Sequence, residues 1–206
     1  MTDVTRQLAR YVLGSRWSDL PKLVQHEAAR TFLNWVGCAI RGSEHPAVDS
    51  ALAAVSEISG PPQATVLGRG ARLDMTHAAL INGLSASAYA FDDTHLISIA
   101  HPTAPAAAAL LALAECRHIS GTEFLHALIL ANEIQCRLSN ALAVPPAHCH
   151  VGLYMTGLTG GVGVAAAVGK LLRLDERRLV WALGIGATQG GGFRATHASM
   201  CSGYVP

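Results

Sequence analysis

Charge is scarce in this chain. Of 206 residues only 15 are Lys or Arg and 14 are Asp or Glu, a formal net charge of +1. That leaves no basic field to hold a nucleic acid and no acidic tail. Long apolar runs are missing too. The mean hydropathy is +0.31, yet the longest runs, Thr103 to Ala114 and Leu158 to Val168, fall short of the roughly 20 residues a spanning helix needs. No membrane partner is expected. The five cysteines, Cys38, Cys116, Cys136, Cys149 and Cys201, are scattered and odd in number. Without a C-x-x-C pair they read as reduced thiols rather than a disulfide framework. Met1 to Arg10 has neither an apolar signal core nor Arg/Ser-rich transit character, so the expected compartment is the cytoplasm. There is no internal repeat, and no linker cleanly divides the chain.

What is present is apolar mass in small pieces. Half of the residues are hydrophobic, enough for a buried core, and the apolar runs are dominated by Ala and Gly. Small residues let helices approach closely, and low charge beside much apolar surface suggests an oligomer. Apolar positions recur at helical spacing through Asp3 to Leu13, from Ser18-Asp19-Leu20-Pro21 up to Gly42, and in Pro46 to Ile58. Asp74 is placed to cap a helix from Met75 toward Tyr89, and Pro105 to Cys116 reads as a short Ala/Leu helix. Ser120-Gly121-Thr122-Glu123 fits a capping box ahead of a helix from Thr122 to Leu142. A Gly/Ala helix follows over Thr156 to Leu172, and Asp175 caps one more. Gln63 to Leu67 is the only convincing strand candidate, so the fold class is all-α.

One passage departs from this apolar background. Phe91-Asp92-Asp93-Thr94-His95 runs on to His101-Pro102-Thr103-Ala104-Pro105, and gathers two adjacent carboxylates, a hydroxyl and two imidazoles. A carboxylate accepts a proton or holds an imidazole in one tautomer, and an imidazole titrates near neutrality, so the group suits acid/base work. The same residues also describe an ordinary capped turn, because Asp and Thr cap helix starts and Pro suits the first helical turn.

Other motifs fail on spacing or context. Gly161-x-Gly163-x-x-Ala166 imitates a dinucleotide fingerprint, but Val151 to Met155 before it is a poor strand. Gly163 to Lys170 is one residue too long for a phosphate loop, and Leu171 stands where a Ser or Thr is needed. His26-Glu27-Ala28-Ala29-Arg30 has Arg where a zinc helix needs its second His. Gly83 to Ser87 lacks the closing glycine of a nucleophile elbow. Three adjacent residues, His148-Cys149-His150, do not all reach one tetrahedral ion without strain, so they read as a polar loop. No metal and no cofactor is expected.

The chain resembles the MmgE/PrpD family, which includes 2-methylcitrate dehydratases, cis-aconitate decarboxylases and an iminodisuccinate epimerase. The residues carrying the resemblance are Ser18-Asp19-Leu20-Pro21, Asn82-Gly83, the passage from Phe91 to Thr103, Gly157 to Leu172 with Leu174-Asp175, and Trp181 to Ile185 with Ala187-Thr188-Gln189. It implies a large all-helical domain over residues 1–206, with 193–206 an irregular tail toward the family's usual α+β lid domain, which is expected to be absent here. It also implies a homodimer and cofactor-independent proton transfer next to a carboxylate on a small di- or tricarboxylate, by dehydration, decarboxylation or epimerisation. By the same resemblance Asp93, Thr94 and His101 are the catalytic set, His101 as acid/base and Thr94 as a donor to substrate. Asp92, His95, Tyr154 and Ser202 would bind substrate, Asp92 also capping or orienting. Ser202 stands where relatives carry a Lys, and Tyr154 where many carry a His. The missing Lys and the lid domain expected to be absent favour the alternative, a non-catalytic helical dimer or carboxylate-binding remnant.

Overall fold

The computed structural model describes residues 3–143 and 152–193. Among them lie eight α-helices and one two-stranded hairpin: α1 (Val4–Gly14), α2 (Lys22–Gly42), α3 (Pro46–Ser56), β1 (Ala64–Val66), β2 (Ala71–Leu73), α4 (Met75–Ser87), α5 (Thr103–Cys116), α6 (Gly121–Ala143), α7 (Met155–Leu171) and α8 (Glu176–Thr188). A single 3₁₀ turn, Trp17–Asp19, joins α1 to α2. No helix among the described residues is long and apolar enough to cross a membrane.

The helix starts follow the capping chemistry in the sequence. Asp3, Asp74 and Asp175 each accept backbone N–H bonds from the first turn of the helix they precede. Ser120 and Glu123 form the reciprocal box, Glu123 N donating to Ser120 Oγ at 3.2 Å and Ser120 N to Glu123 Oε2 at 3.0 Å. Each satisfies a backbone donor the helix itself leaves open. The helix α5 begins two residues before the expected Pro105, because Thr103 and Ala104 complete its first turn and Pro105 sits where an N–H has no intrahelical acceptor.

The extended stretch expected at Gln63 to Leu67 has a partner that the sequence does not announce. Antiparallel β2 pairs Ala64 with Leu73 and Val66 with Ala71. The connection needs left-handed backbone, which Gly68 (φ +74) and Gly70 (φ +61) supply. The side chain of Asn82 in α4 imitates a further strand, accepting from Leu67 N at 2.9 Å and donating to Thr65 O at 2.8 Å. The hairpin is thereby pinned to the helix.

The core divides into three apolar clusters. One gathers Trp35, Leu110, Phe124 and Leu128 with a run of alanines from α5, and there Phe32 stacks on Trp35 at 5.8 Å and meets Phe124 edge-on at 4.7 Å. A second joins α1, α6, α7 and α8 through Val12, Ile134, Leu179 and Leu183, and the third seats α3, the hairpin and α4 on Ala112 of α5. Lys170 of α7 donates to Val12 O, Leu13 O and Ser15 O at 2.9–3.0 Å, supplying the donors that the C-terminal end of α1 lacks.

The helices α7 and α8 meet backbone to backbone. A Cβ on Gly161 would lie 2.6 Å from Gly186 O, and a Cβ on Gly186 2.5 Å from Gly161 O. On its other side α7 meets α6, where a Cβ on Gly163 would lie 2.8 Å from Ala131 O. The glycines that imitate a dinucleotide fingerprint thus serve helix contact in mid-helix. The described residues directly before α7, 152–154, form no strand, only an isolated bridge between Leu153 and Phe193.

Candidate active site

The chain leaves α4 at Ser87 and enters α5 at Thr103, and the intervening loop carries the carboxylate and imidazole passage. Its ends are held tightly. Ala90 (φ 53) and Ile99 (φ 55) both adopt the left-handed region, which is uncommon for Ala and a genuine outlier for a β-branched residue. Between them His95 N donates to Ala100 O at 2.8 Å, and His95 Nδ1 lies 2.8 Å from Ser98 Oγ. These bonds close a small ring whose apolar members Leu96, Ile97 and Ile99 face outward, while Asp92, Ser98, Ala100 and His101 are buried.

Four of the residues expected from the sequence come together. His101 Nδ1 lies 3.1 Å from the Asp93 carbonyl oxygen, 3.3 Å from Thr94 Oγ1 and 3.5 Å from Asp92 Oδ1. A carbonyl oxygen only accepts, so Nδ1 carries the hydrogen and Nε2 is the basic nitrogen in the neutral ring. Tyr154, at the N-cap of α7, brings its ring to 6.3 Å from that of His101. His95, turned onto Ser98, closes the loop and has no hydrogen bond or ion pair with His101 or the carboxylates among the described residues. Ser202, His148 and His150 lie outside the described residues.

Burial sets the electrostatics. The Asp92 side chain is only 2% exposed, and desolvation pushes its carboxyl up to about 6, against the pull of His101. Asp93 is raised as well, again chiefly by burial, although Thr103 and His101 draw it down. Asp92 Oδ2 and Asp93 Oδ1 are buried with no hydrogen-bond partner among the described residues. Two carboxyls whose affinity for a proton is raised by burial, beside an imidazole with one defined basic nitrogen, can exchange a proton with a bound molecule. Among the described residues no lysine or arginine bonds to Asp92, Asp93, Thr94 or His101.

Burial of Asp92 gives a testable pH dependence. Its folded-state affinity for a proton exceeds that of an unfolded aspartate, so between about pH 4 and pH 6 the native state binds more protons and stability falls as pH rises. Asp92→Asn removes that slope. Relative to the unmodified protein it is expected to gain on the order of 1–3 kcal/mol above pH 6 and nothing near pH 4. Chemical denaturation at pH 4 and pH 7.5 measures both; a gain of equal size at the two pH values would assign the effect to packing.

Residues that sequence reasoning missed complete the site. Thr103 Oγ1 donates to Asp93 Oδ2 at 2.8 Å, and Asn132 Nδ2 donates to Thr103 Oγ1 at 2.8 Å. Gln135 Nε2 donates to Pro102 O, and His101 N donates to Thr156 Oγ1, both at 2.8 Å. A signal was present: Asn132, Gln135 and Ser139 recur at i, i+3 and i+7 on α6. A cleft of about 470 Å³ lies between α2 and the end of α4, lined by Leu33, Cys38, Tyr89 and Phe91 among others. Arg41 stacks on Tyr89 at 4.8 Å there, and Asn34 Nδ2 holds Phe91 O at 3.2 Å.

Residues 6–205 match the family model described as the MmgE/PrpD N-terminal domain. The chain is 30% identical over 200 residues to a cis-aconitate decarboxylase-like protein of Aspergillus oryzae, covering 94% of this chain and 41% of that one. It is 27% identical over 191 residues to a cis-aconitate decarboxylase of Aspergillus terreus, with 90% and 39% covered. The human cis-aconitate decarboxylase is 27% identical over 205 residues, with 97% and 42% covered. The chain therefore spans about two fifths of the length of these curated relatives.

Proposed function

The chain belongs to the MmgE/PrpD family, and on that premise we propose that its loop between α4 and α5 supplies the proton-transfer group of a lyase or isomerase acting on small di- or tricarboxylates. Decarboxylation of such an acid breaks a carbon–carbon bond, releases carbon dioxide and leaves an electron pair that must take up a proton. Dehydration and epimerisation begin instead by removing a proton from a carbon beside a carboxylate. All these reactions need one positioned proton carrier and groups that meet the developing negative charge.

The observation that carries the reading is the orientation of His101. Its Nδ1–H is committed to the Asp93 carbonyl, which leaves Nε2 to take or give the proton. Asp92 and Asp93 stabilise the imidazolium that forms, and Thr94 is an exposed residue whose hydroxyl, donated to the Asp92 carbonyl at 3.4 Å, turns to substrate when it binds. The names of the relatives make cis-aconitate the first acid to try. A second reading, carboxylate binding without turnover, is favoured by Ser202 at the position where the resemblance implies a lysine, since a hydroxyl supplies no positive charge.

The two readings separate by proton NMR of citrate-, aconitate- and aspartate-like acids incubated with the protein in D₂O. The proposal expects deuterium at carbon, or loss of carbon dioxide, with at least one acid. Saturable binding of an acid with no exchange and no product would establish the second reading instead.

A further inference from the structure

Three side chains from three parts of the chain are strung on one line behind the site. Asn132 lies on α6 and Thr103 opens α5, while Asp93 sits in the loop, and the two bonds that join them are each 2.8 Å long. Their direction is fixed by the chemistry of the middle member. The Nδ2 group of Asn132 only donates, so it fills a lone pair of Thr103 Oγ1. The single hydroxyl hydrogen of Thr103 is then left for Asp93 Oδ2. Every hydrogen in the chain therefore points toward the carboxylate, the arrangement that favours its charged form.

Thr103 is fully buried, and it has no freedom to answer to water. Asn132 keeps its Oδ1 buried with no partner among the described residues, an arrangement that costs stability. A leucine or alanine would fill an interior helix face without that cost. The amide is thus better accounted for by what its nitrogen does than by packing.

We propose that Asn132, acting through Thr103, is a positioning residue that holds Asp93 charged and in one orientation against the desolvation of the site. This inference rests on the reading of Asp93 as part of the proton-transfer group. The other titratable groups around Asp93 are Asp92 and His101 on its own loop, Cys38 on α2 and Cys136 on α6. Asp93 in turn raises both thiols, though burial is the larger cause for each. Of these neighbours only His101 can carry a positive charge. The relay is a second force toward ionisation, and unlike His101 it is independent of pH.

The test is carbon-13 NMR of the aspartate side-chain carboxyls, titrated in the intact protein, with the Asp93 signal identified by its loss in Asp93→Asn. Asn132→Leu and Thr103→Val are each expected to raise the Asp93 midpoint by about one unit, whereas Thr103→Ser, which keeps the hydroxyl, leaves it where it was. Thermal melting identifies any variant that fails to fold, and the remaining members of the set still decide the matter. Unchanged midpoints in Asn132→Leu and Thr103→Val overturn the proposal, as does a Thr103→Ser midpoint that moves as far as that of Thr103→Val. The readout needs no turnover. Midpoints that shift as expected in a protein that exchanges no acid leave the relay standing and remove the proposed function.

Discussion

His101→Asn is expected to lower deuterium exchange into the substrate acid by about 10²–10⁴-fold, the usual contribution of a positioned acid/base group. Folding should be little affected. The asparagine amide is able to donate to the Asp93 carbonyl in place of Nδ1–H, and the backbone N–H of residue 101 still reaches Thr156 Oγ1. What is lost is the basic nitrogen. The decisive comparison is between exchange rate and melting temperature in the same preparation. If exchange survives within a factor of about three of the unmodified rate, His101 is not the proton carrier. If the melting temperature falls steeply while the residual folded fraction exchanges normally, the passage is a capped turn and the acid/base reading fails.

Gly186→Ala carries the largest expected loss of stability. Helix propensity alone favours Ala over Gly by about 1 kcal/mol. Against this, the added methyl would lie 2.5 Å from Gly161 O and 3.1 Å from Ala165 Cβ. The first of these is backbone, so no rotamer change relieves the contact and α7 must move away from α8. Overpacking of this kind costs about 1–3 kcal/mol and occasionally more, and both helices help to bury Leu179 and Leu183. Because the contact is with backbone the cost falls at the upper end of that range, and with the propensity gain subtracted a net loss of about 2 kcal/mol is expected, or about 4–8 °C in melting temperature for a domain of this size. Gly161→Ala should behave alike, and the double variant should lose less than the sum, because the first methyl already opens the seam for the second. Gly184→Ala, also in α8, is the control. It meets nothing within 4 Å and should be neutral or slightly stabilising. A Gly186→Ala protein that melts no lower than Gly184→Ala would refute the close contact.

The parts of the molecule legible in the sequence are those written locally. The caps Asp74, Ser120 and Asp175 sit within a few residues of the donors they satisfy, and each helix they open stands where spacing put it. The approach of Asp92, Asp93, Thr94 and His101 was legible for the same reason, since one short loop carries them all. The strand β2 was not. Ala71-Arg72-Leu73 has little β character, and it becomes a strand by pairing with β1 and by the bonds Arg72 makes to Gln63 O and Glu115. The supports of the site were hidden by distance: Asn132 lies 29 residues from Thr103, and Thr156 lies 55 from His101. Polar spacing on α6 marked a buried stripe without saying what it touched. The glycines of α7 announced close approach but not the partner, because a sequence does not state which helix lies alongside.

The bond from His101 N to Thr156 Oγ1 ties the imidazole to a segment far along the chain, just where α7 begins. A protein under thermal agitation opens in parts before it opens as a whole, and helix beginnings are among the first places to fray. When the start of α7 lifts, His101 loses its backbone anchor, although the alanine-filled contacts of α5 and α6 deeper in the molecule remain closed. The amide of residue 101 is therefore expected to exchange its hydrogen sooner than the buried amides of α5 and α6, and native-state hydrogen exchange measures the gap between the two openings.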